Sequence, residues 1–235
     1  MAPSADLAID RSAVVERITL GTESWVDLVR GFVRHPREEL DDIMSTTRWG
    51  QTEVLRYDRY VPENRLGAGL RPDSRTLLRQ TDLHLQSRYH ANFEGVAALL
   101  YRDGNDFQGL HSDRAMRWLD DTLVAIVVLG VRRPFVLRPR TDWVAAAANR
   151  VAAGEHPDDV VLMPGEGDLL VMGGACQREW LHGVAAFTTD EPRVSLTWRW
   201  SSRRGRPDTN PGHYDGRQFS GDVTRAGSRT RRSAP

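Results

Sequence analysis

Residues 193–200 constrain the fold more than any other part of the chain. Arg193, Ser195, Thr197 and Arg199 alternate there with Val194, Leu196, Trp198 and Trp200. Successive side chains of an extended strand point to opposite faces, so one face is wholly apolar and the other carries two guanidinium groups. An apolar face of this kind packs against helices, which turns both arginines inward. A buried guanidinium needs a partner. Inward salt bridges, to Asp113 or Asp168 for example, are one answer. A bound dicarboxylate is the other, because guanidinium and carboxylate pair in a planar, two-pronged geometry.

The neighbouring segments supply the rest of a β architecture. Residues 123–129 are an uninterrupted apolar run, suited to a strand buried on both faces. Residues 95–101, 135–138, 160–163, 168–172 and 182–187 read as further strands, with Asp103-Gly104-Asn105 as turn chemistry after the first. Short strands at this spacing predict a sandwich or barrel. The first third reads as helical and mixed. Trp25, Leu28, Val29 and Phe32 recur at helical spacing and predict an amphipathic helix over residues 24–34. Pro36 suits the first turn of a second helix running to residue 44, with Glu38 and Glu39 at its positive end. A third spans residues 74–89 with Ser74 as its cap. Between them, Thr52, Val54, Arg56 and Asp58 alternate as in a strand, and Pro62 and Gly67 mark loops. The fold class predicted is mainly β with flanking helices (α+β).

The 235 residues suffice for one sizeable domain with a real core. The expected division is an N-terminal helical and lid region over residues 1–92, a β core over 93–202 and a tail over 203–235. The formal net charge of zero excludes a molecule that is basic as a whole. The tail is nevertheless cationic: Arg203, Arg204, Arg206, Arg217, Arg225, Arg229, Arg231 and Arg232 stand against Asp208, Asp215 and Asp222. It is almost devoid of aliphatic residues and is expected to be disordered. Every basic side chain is arginine, which reads as codon bias in a GC-rich genome. A single cysteine, Cys176, excludes an intrachain disulfide. Without a signal pattern or a membrane-length apolar run, the expectation is a cytoplasmic monomer with no membrane partner.

Against this background one sparse set of residues stands out: His111 and Asp113 two apart, His182 seventy-one residues later (182−111), and the inward arginines just beyond. Two residues of a strand spaced by two share a face, so His111 and Asp113 can reach one ion from a sheet edge while His182 reaches it from a neighbouring strand. Two imidazoles and one carboxylate occupy one face of iron(II) and leave the other open. Metal site and anion clamp together point to an iron oxygenase supplied with a keto-acid.

These residues resemble the AlkB family of iron(II)- and 2-oxoglutarate-dependent dioxygenases. The matching stretches are Tyr101-Arg102-Asp103-Gly104, His111-Ser112-Asp113, the run from Gly167-Asp168-Leu169 to Gly173-Gly174, His182, and Arg193-Val194-Ser195-Leu196-Thr197-Trp198-Arg199. The last is similar to the family's R-x-N-x-T-x-R strand, and Ser195 holds the place of its asparagine. The resemblance implies a double-stranded β-helix (jelly-roll) barrel in which His111, Asp113 and His182 ligate Fe(II). It implies that Arg193 pairs with the distal carboxylate of 2-oxoglutarate and that Tyr101 donates a hydrogen bond nearby. Ser195 lies beside them, and Arg199 sits near the metal-proximal carboxylate and orients Asp113.

With O2 as the second co-substrate, the implied activity is oxidative demethylation of N-alkylated nucleobases in DNA or RNA, a repair of alkylation damage. Two positions depart from the family in the substrate and co-substrate region. Leu99 replaces an asparagine, and Ala115 replaces the acid that reads the base. A flipped base or single strand would stack on aromatic rings, for which Trp49, Tyr57 and Tyr60 are lid candidates, and the tail would attract phosphates. Ala115 keeps open a small-molecule or protein substrate. A non-enzymatic nucleic-acid-binding module is the third reading.

Overall fold

The structure is a computed structural model that describes residues 7–56, 59–113, 115–140 and 156–202. Twelve strands and three helices follow one another as β1 (Val15–Thr19), β2 (Ser24–Val29), α1 (Pro36–Thr46), β3 (Gly50–Arg56), β4 (Arg59–Leu70), α2 (Thr76–Tyr89), β5 (Glu94–Tyr101), β6 (Gln108–His111), β7 (Thr122–Gly130), β8 (Phe135–Pro139), β9 (Val160–Leu162), β10 (Asp168–Gly174), α3 (Cys176–Glu179), β11 (Trp180–Val184) and β12 (Arg193–Ser201). Eight strands form one sheet in the order β1-β2-β10-β7-β12-β5-β4-β3, and four form a second in the order β6-β11-β8-β9. This is the double-stranded β-helix.

The central strands explain the two-sided core. Along β7, Leu123, Ala125, Val127 and Leu129 join Val194, Leu196 and Trp198 of β12 in a cluster under α1 and α2. The alternate residues Val124, Ile126 and Val128 face the second sheet, where with Leu170 and Met172 of the neighbouring β10 they meet Phe135, Leu137 and Val184. The apolar run at 123–129 is thus buried on both faces, as its composition demands. On β12 the division is the one read from sequence. Trp198 is fully buried on the helix side, where truncating such an indole to alanine costs about 3–5 kcal/mol. Arg193, Ser195, Thr197 and Arg199 turn toward the second sheet.

Helix α1 begins with proline in its first turn and carries Glu38 and Glu39 there, and it buries Leu40 and Ile43. Helix α2 buries Leu77, Leu78 and Leu85 and ends at His90 in a left-handed conformation (φ 52°). It starts two residues later than expected. The Ser74 hydroxyl donates to the Arg71 carbonyl instead of capping the helix.

Two readings in the N-terminal third are of the wrong type. Pro62 and Gly67, read as loop marks, lie within strand β4, paired to Glu53 and Gly50 of β3. Residues 24–29 are strand β2, not the start of a helix. β2 lies between β1 and β10 and is covered on both sides, so its apolar residues need not alternate and their spacing imitates a helix. Its buried Asp27 is satisfied by Arg17 (2.7 and 2.8 Å) and the Tyr89 hydroxyl (2.9 Å). Trp25 lies flat against β10 at Gly173, where even a Cβ would come within 2.1 Å of the indole. The N-terminal third therefore contributes four strands to the large sheet as well as two helices. No described helix is long and apolar enough to cross a membrane. The arginine-rich tail at 203–235 lies outside the described residues.

Candidate active site

The second sheet brings the two histidines together. His182 on β11 stands directly opposite His111 at the end of β6, and their ring centroids lie 4.3 Å apart. Asp113 reaches the same point by a different route from the one expected. β6 ends at His111, so Asp113 is not a strand residue sharing a face with it; it lies in the loop that follows. That loop is fixed by Gln177 of α3, whose Oε1 accepts the Asp113 backbone N–H at 2.8 Å. One ligand atom from each of His111, Asp113 and His182 lies within 4.8 Å of the others, a spacing that suits three ligands on one ion.

Hydrogen bonds and charge prepare these groups for a cation. His111 Nδ1 is 3.0 Å from the Gly109 carbonyl, which assigns the proton to Nδ1 and leaves Nε2 a free lone pair. Burial pushes both imidazoles down, His182 to about 3 with the adjacent His111 adding to the effect. Both are therefore neutral at physiological pH. Burial by itself would push the Asp113 carboxyl up, but Arg199, His182 and His111 hold it well below the usual carboxylate range. Arg199 Nε donates to Asp113 Oδ2 at 2.7 Å, leaving Oδ1 on the side of His111, 3.8 Å from its Nε2.

His111 and His182 face an open cavity. Its apolar walls include Leu99, Val124, Ile126 and Phe135. Tyr101, Ser195 and Arg199 supply polar groups from the large sheet. Arg193 is not part of this lining; it lies two residues before Ser195 on the same face of β12 and is fully buried. Its Nη1 donates to the Pro164 carbonyl at 2.8 Å and its Nε approaches the Ser195 hydroxyl at 3.5 Å. Nη2 is buried with no hydrogen-bond partner. Asp168, the acid that might have neutralised Arg193, is engaged by Arg30 and Arg132 at 2.6 and 3.4 Å. The inward salt bridge therefore exists for Arg199 and not for Arg193. Burial pushes the Arg193 guanidinium down to about 10, opposed by Tyr101 and Asp168 and reinforced by Arg133.

The wider matches agree with this geometry. The sequence signature of the 2OG-Fe(II) oxygenase superfamily matches residues 29–199. The chain belongs to that superfamily. It is AlkB-like within it. The mouse alpha-ketoglutarate-dependent dioxygenase alkB homolog 3 is 29% identical over 220 residues, covering 85% of this chain and 75% of that protein. The DNA oxidative demethylase ALKBH2 of Arabidopsis thaliana is 28% identical over 119 residues, covering 46% of this chain and 38% of the plant protein. Among solved structures, HygX from Streptomyces hygroscopicus with nickel and 2-oxoglutarate bound superposes with a TM-score of 0.54 at 11% identity, over 76% of this chain and 83% of that one. A Trichoplax adhaerens prolyl hydroxylase in complex with a peptide superposes with a TM-score of 0.52 at 11% identity, over 75% and 83%. These last two share the fold.

Members of the superfamily use Fe(II), 2-oxoglutarate and O2, and the chain is an enzyme of that class. Its residues fit both groups. The neutral histidines and ionised aspartate suit a divalent cation, and the orphaned Nη2 of Arg193 asks for an acceptor of the kind a carboxylate brings.

Two residues that line or support this site escaped the sequence reading. Arg65 of β4 lines the cavity although it is almost fully buried; it pairs with Glu63 at 3.1 Å and donates to the Tyr101 hydroxyl. It falls in a segment whose pattern gave no hint of an inward charge. Gln177, the second, is followed by Arg178 and Glu179 in a one-turn helix, where nothing in the pattern sets it apart. Of the lid candidates, Trp49 packs against the core under the helices and donates to the Met44 carbonyl at 3.2 Å. It is half-buried on the core. Tyr60 lies on β4, and Tyr57 lies outside the described residues. Ala115 is exposed.

Proposed function

We propose that this dioxygenase oxidatively demethylates N-alkylated nucleobases in DNA or RNA, with His111, Asp113 and His182 as the iron ligands and Arg193 as the anchor of 2-oxoglutarate. The observation that carries the site assignment is the pairing of a three-ligand cluster with a buried guanidinium that lacks one partner. The substrate class is supported by the similarity to a protein named as a DNA oxidative demethylase.

Iron and 2-oxoglutarate supply, when bound, the oxidation of an unactivated C–H bond by O2, with succinate and carbon dioxide as co-products. The chain supplies the aim. Gly109 holds the His111 proton at Nδ1, so Nε2 faces the ion. Arg199 takes one oxygen of Asp113 and turns the other toward the histidines. Arg193 holds the distal carboxylate through Nη2. Tyr101 accepts from Arg65, so its own proton is free to go to the same carboxylate, and Ser195 lines the pocket between Arg193 and Thr197. Leu99, Val124, Ile126 and Phe135 exclude water from the reacting face. Hydroxylation of an N-methyl group there gives a hemiaminal that breaks its C–N bond, returning the proton to the base nitrogen and releasing formaldehyde.

The protein incubated with Fe(II), 2-oxoglutarate and an oligonucleotide containing 1-methyladenine is expected to release formaldehyde and succinate in equal amounts. Succinate without formaldehyde would point instead to the second reading, a small-molecule or protein substrate, which the exposed Ala115 in place of a base-reading acid favours.

A further inference from the structure

We infer that Asp168 is a positioning residue for the co-substrate: it fixes the loop whose carbonyl aims Arg193. The inference rests on the reading of Arg193 as the carboxylate anchor. Asp168 is fully buried at the start of β10 and makes none of the contacts expected of a residue that touches the cavity. Its Oδ1 accepts the Gly31 N–H at 3.0 Å. Its Oδ2 accepts from Arg30 Nη1 at 2.6 Å, the Gly165 N–H at 3.1 Å and Arg132 Nη1 at 3.4 Å. The same two arginines also donate to the Met163 carbonyl, at 2.8 and 3.3 Å.

Three consecutive residues are thereby pinned. Met163 is held by its carbonyl, Gly165 by its N–H, and between them the Pro164 carbonyl is presented to Arg193 Nη1. The arrangement requires glycine at 165, because a Cβ there would come within 2.7 Å of the Arg132 backbone. Among the described residues, the Pro164 carbonyl accepts the only strong hydrogen bond of the Arg193 guanidinium, since the Ser195 contact is at the 3.5 Å limit. Its direction decides where Nη2 points. A buried carboxylate that recruits two arginines and two backbone N–H groups around one loop is more than local stability requires, and it stands one carbonyl away from the group that binds the keto-acid.

The test compares keto-acids with and without a distal carboxylate, bound to the Mn(II)-loaded protein and followed by titration calorimetry. Asp168→Asn is expected to weaken 2-oxoglutarate binding about tenfold. It should leave Mn(II) affinity unchanged, along with the affinity for 2-oxovalerate, which has the same chain length and one carboxylate fewer. In an Arg193→Met background the Asp168→Asn effect on 2-oxoglutarate should vanish. Equal weakening of both keto-acids, or a full additional loss in the Arg193→Met background, would overturn the inference. Unchanged 2-oxoglutarate affinity in Arg193→Met by itself would overturn the reading on which it rests, and the clamp with it. Should Asp168→Asn not fold, Arg30→Met and Arg132→Met loosen the same loop from its exposed side. The expected loss there is about threefold, with the same selectivity between keto-acids.

Discussion

The two ends of the pocket are finished to different degrees. At the end proposed for the metal, two of the three side chains are already held in place. Asp113 is held by Arg199 and Gln177, and His111 by Gly109. At the end proposed for the keto-acid, Arg193 is fully buried and its Nη2 has no partner. A small ion gains most when its ligands cannot swing, so its end is prearranged by outer hydrogen bonds. A dicarboxylate brings its own charges and acceptors, so its end is left short of them.

Each end can be perturbed separately. Arg193→Met should raise the KM for 2-oxoglutarate by about a hundredfold, because the two-pronged contact with the distal carboxylate is lost. Metal affinity should stay as it was. Activity assayed over a range of co-substrate concentration checks this, and an unchanged KM would remove the contrast. Arg199→Met attacks the other end and should lower Mn(II) affinity by about 10–100-fold, measured by titration, because Asp113 loses the bond that orients it. The smallest effect is the sharpest. In the metal-free protein without co-substrate, Arg193→Met should raise unfolding stability by about 1 kcal/mol by removing a buried, incompletely paired charge. Arg199→Met should lower it by a similar amount, since Asp113 is then buried without its partner. Urea unfolding of the two variants side by side gives the signs. Equal signs would mean that the ends are not built differently.

The contrast was partly legible in the sequence. The alternation on residues 193–200 put both arginines inside, and they are inside. The run at 123–129 could only be a strand covered on both faces, and α1 announced itself by Pro36 and two glutamates. These signals are local: period, propensity and charge at a helix end. What escaped was decided by neighbours. β2 was misread because a strand flanked by β1 and β10 and covered above and below loses its period of two. Asp113 was placed on a strand because the sequence gives spacing but not where pairing stops, and β6 stops at His111. Arg65 and Gln177 carry no pattern of their own; their importance comes from what β5 and the loop after β6 place beside them. For the proposed metal ligands the sequence offered candidates; the facing of β6 and β11 joins the two histidines, and the loop held by Gln177 adds Asp113.

The order of strands has a consequence for how the chain is made. β12, the last of the described strands in chain order, is not an edge: it lies between β7 and β5 in the middle of the large sheet. Until it arrives, β1-β2-β10-β7 and β5-β4-β3 have no shared hydrogen bonds across the gap, and two rows of backbone groups remain open. Synthesis must therefore have passed Ser201 before the two halves can be sewn together. A chain stopped before residue 193 would be a sheet split down its centre and not a trimmed enzyme, and chaperones would meet it as an aggregation hazard.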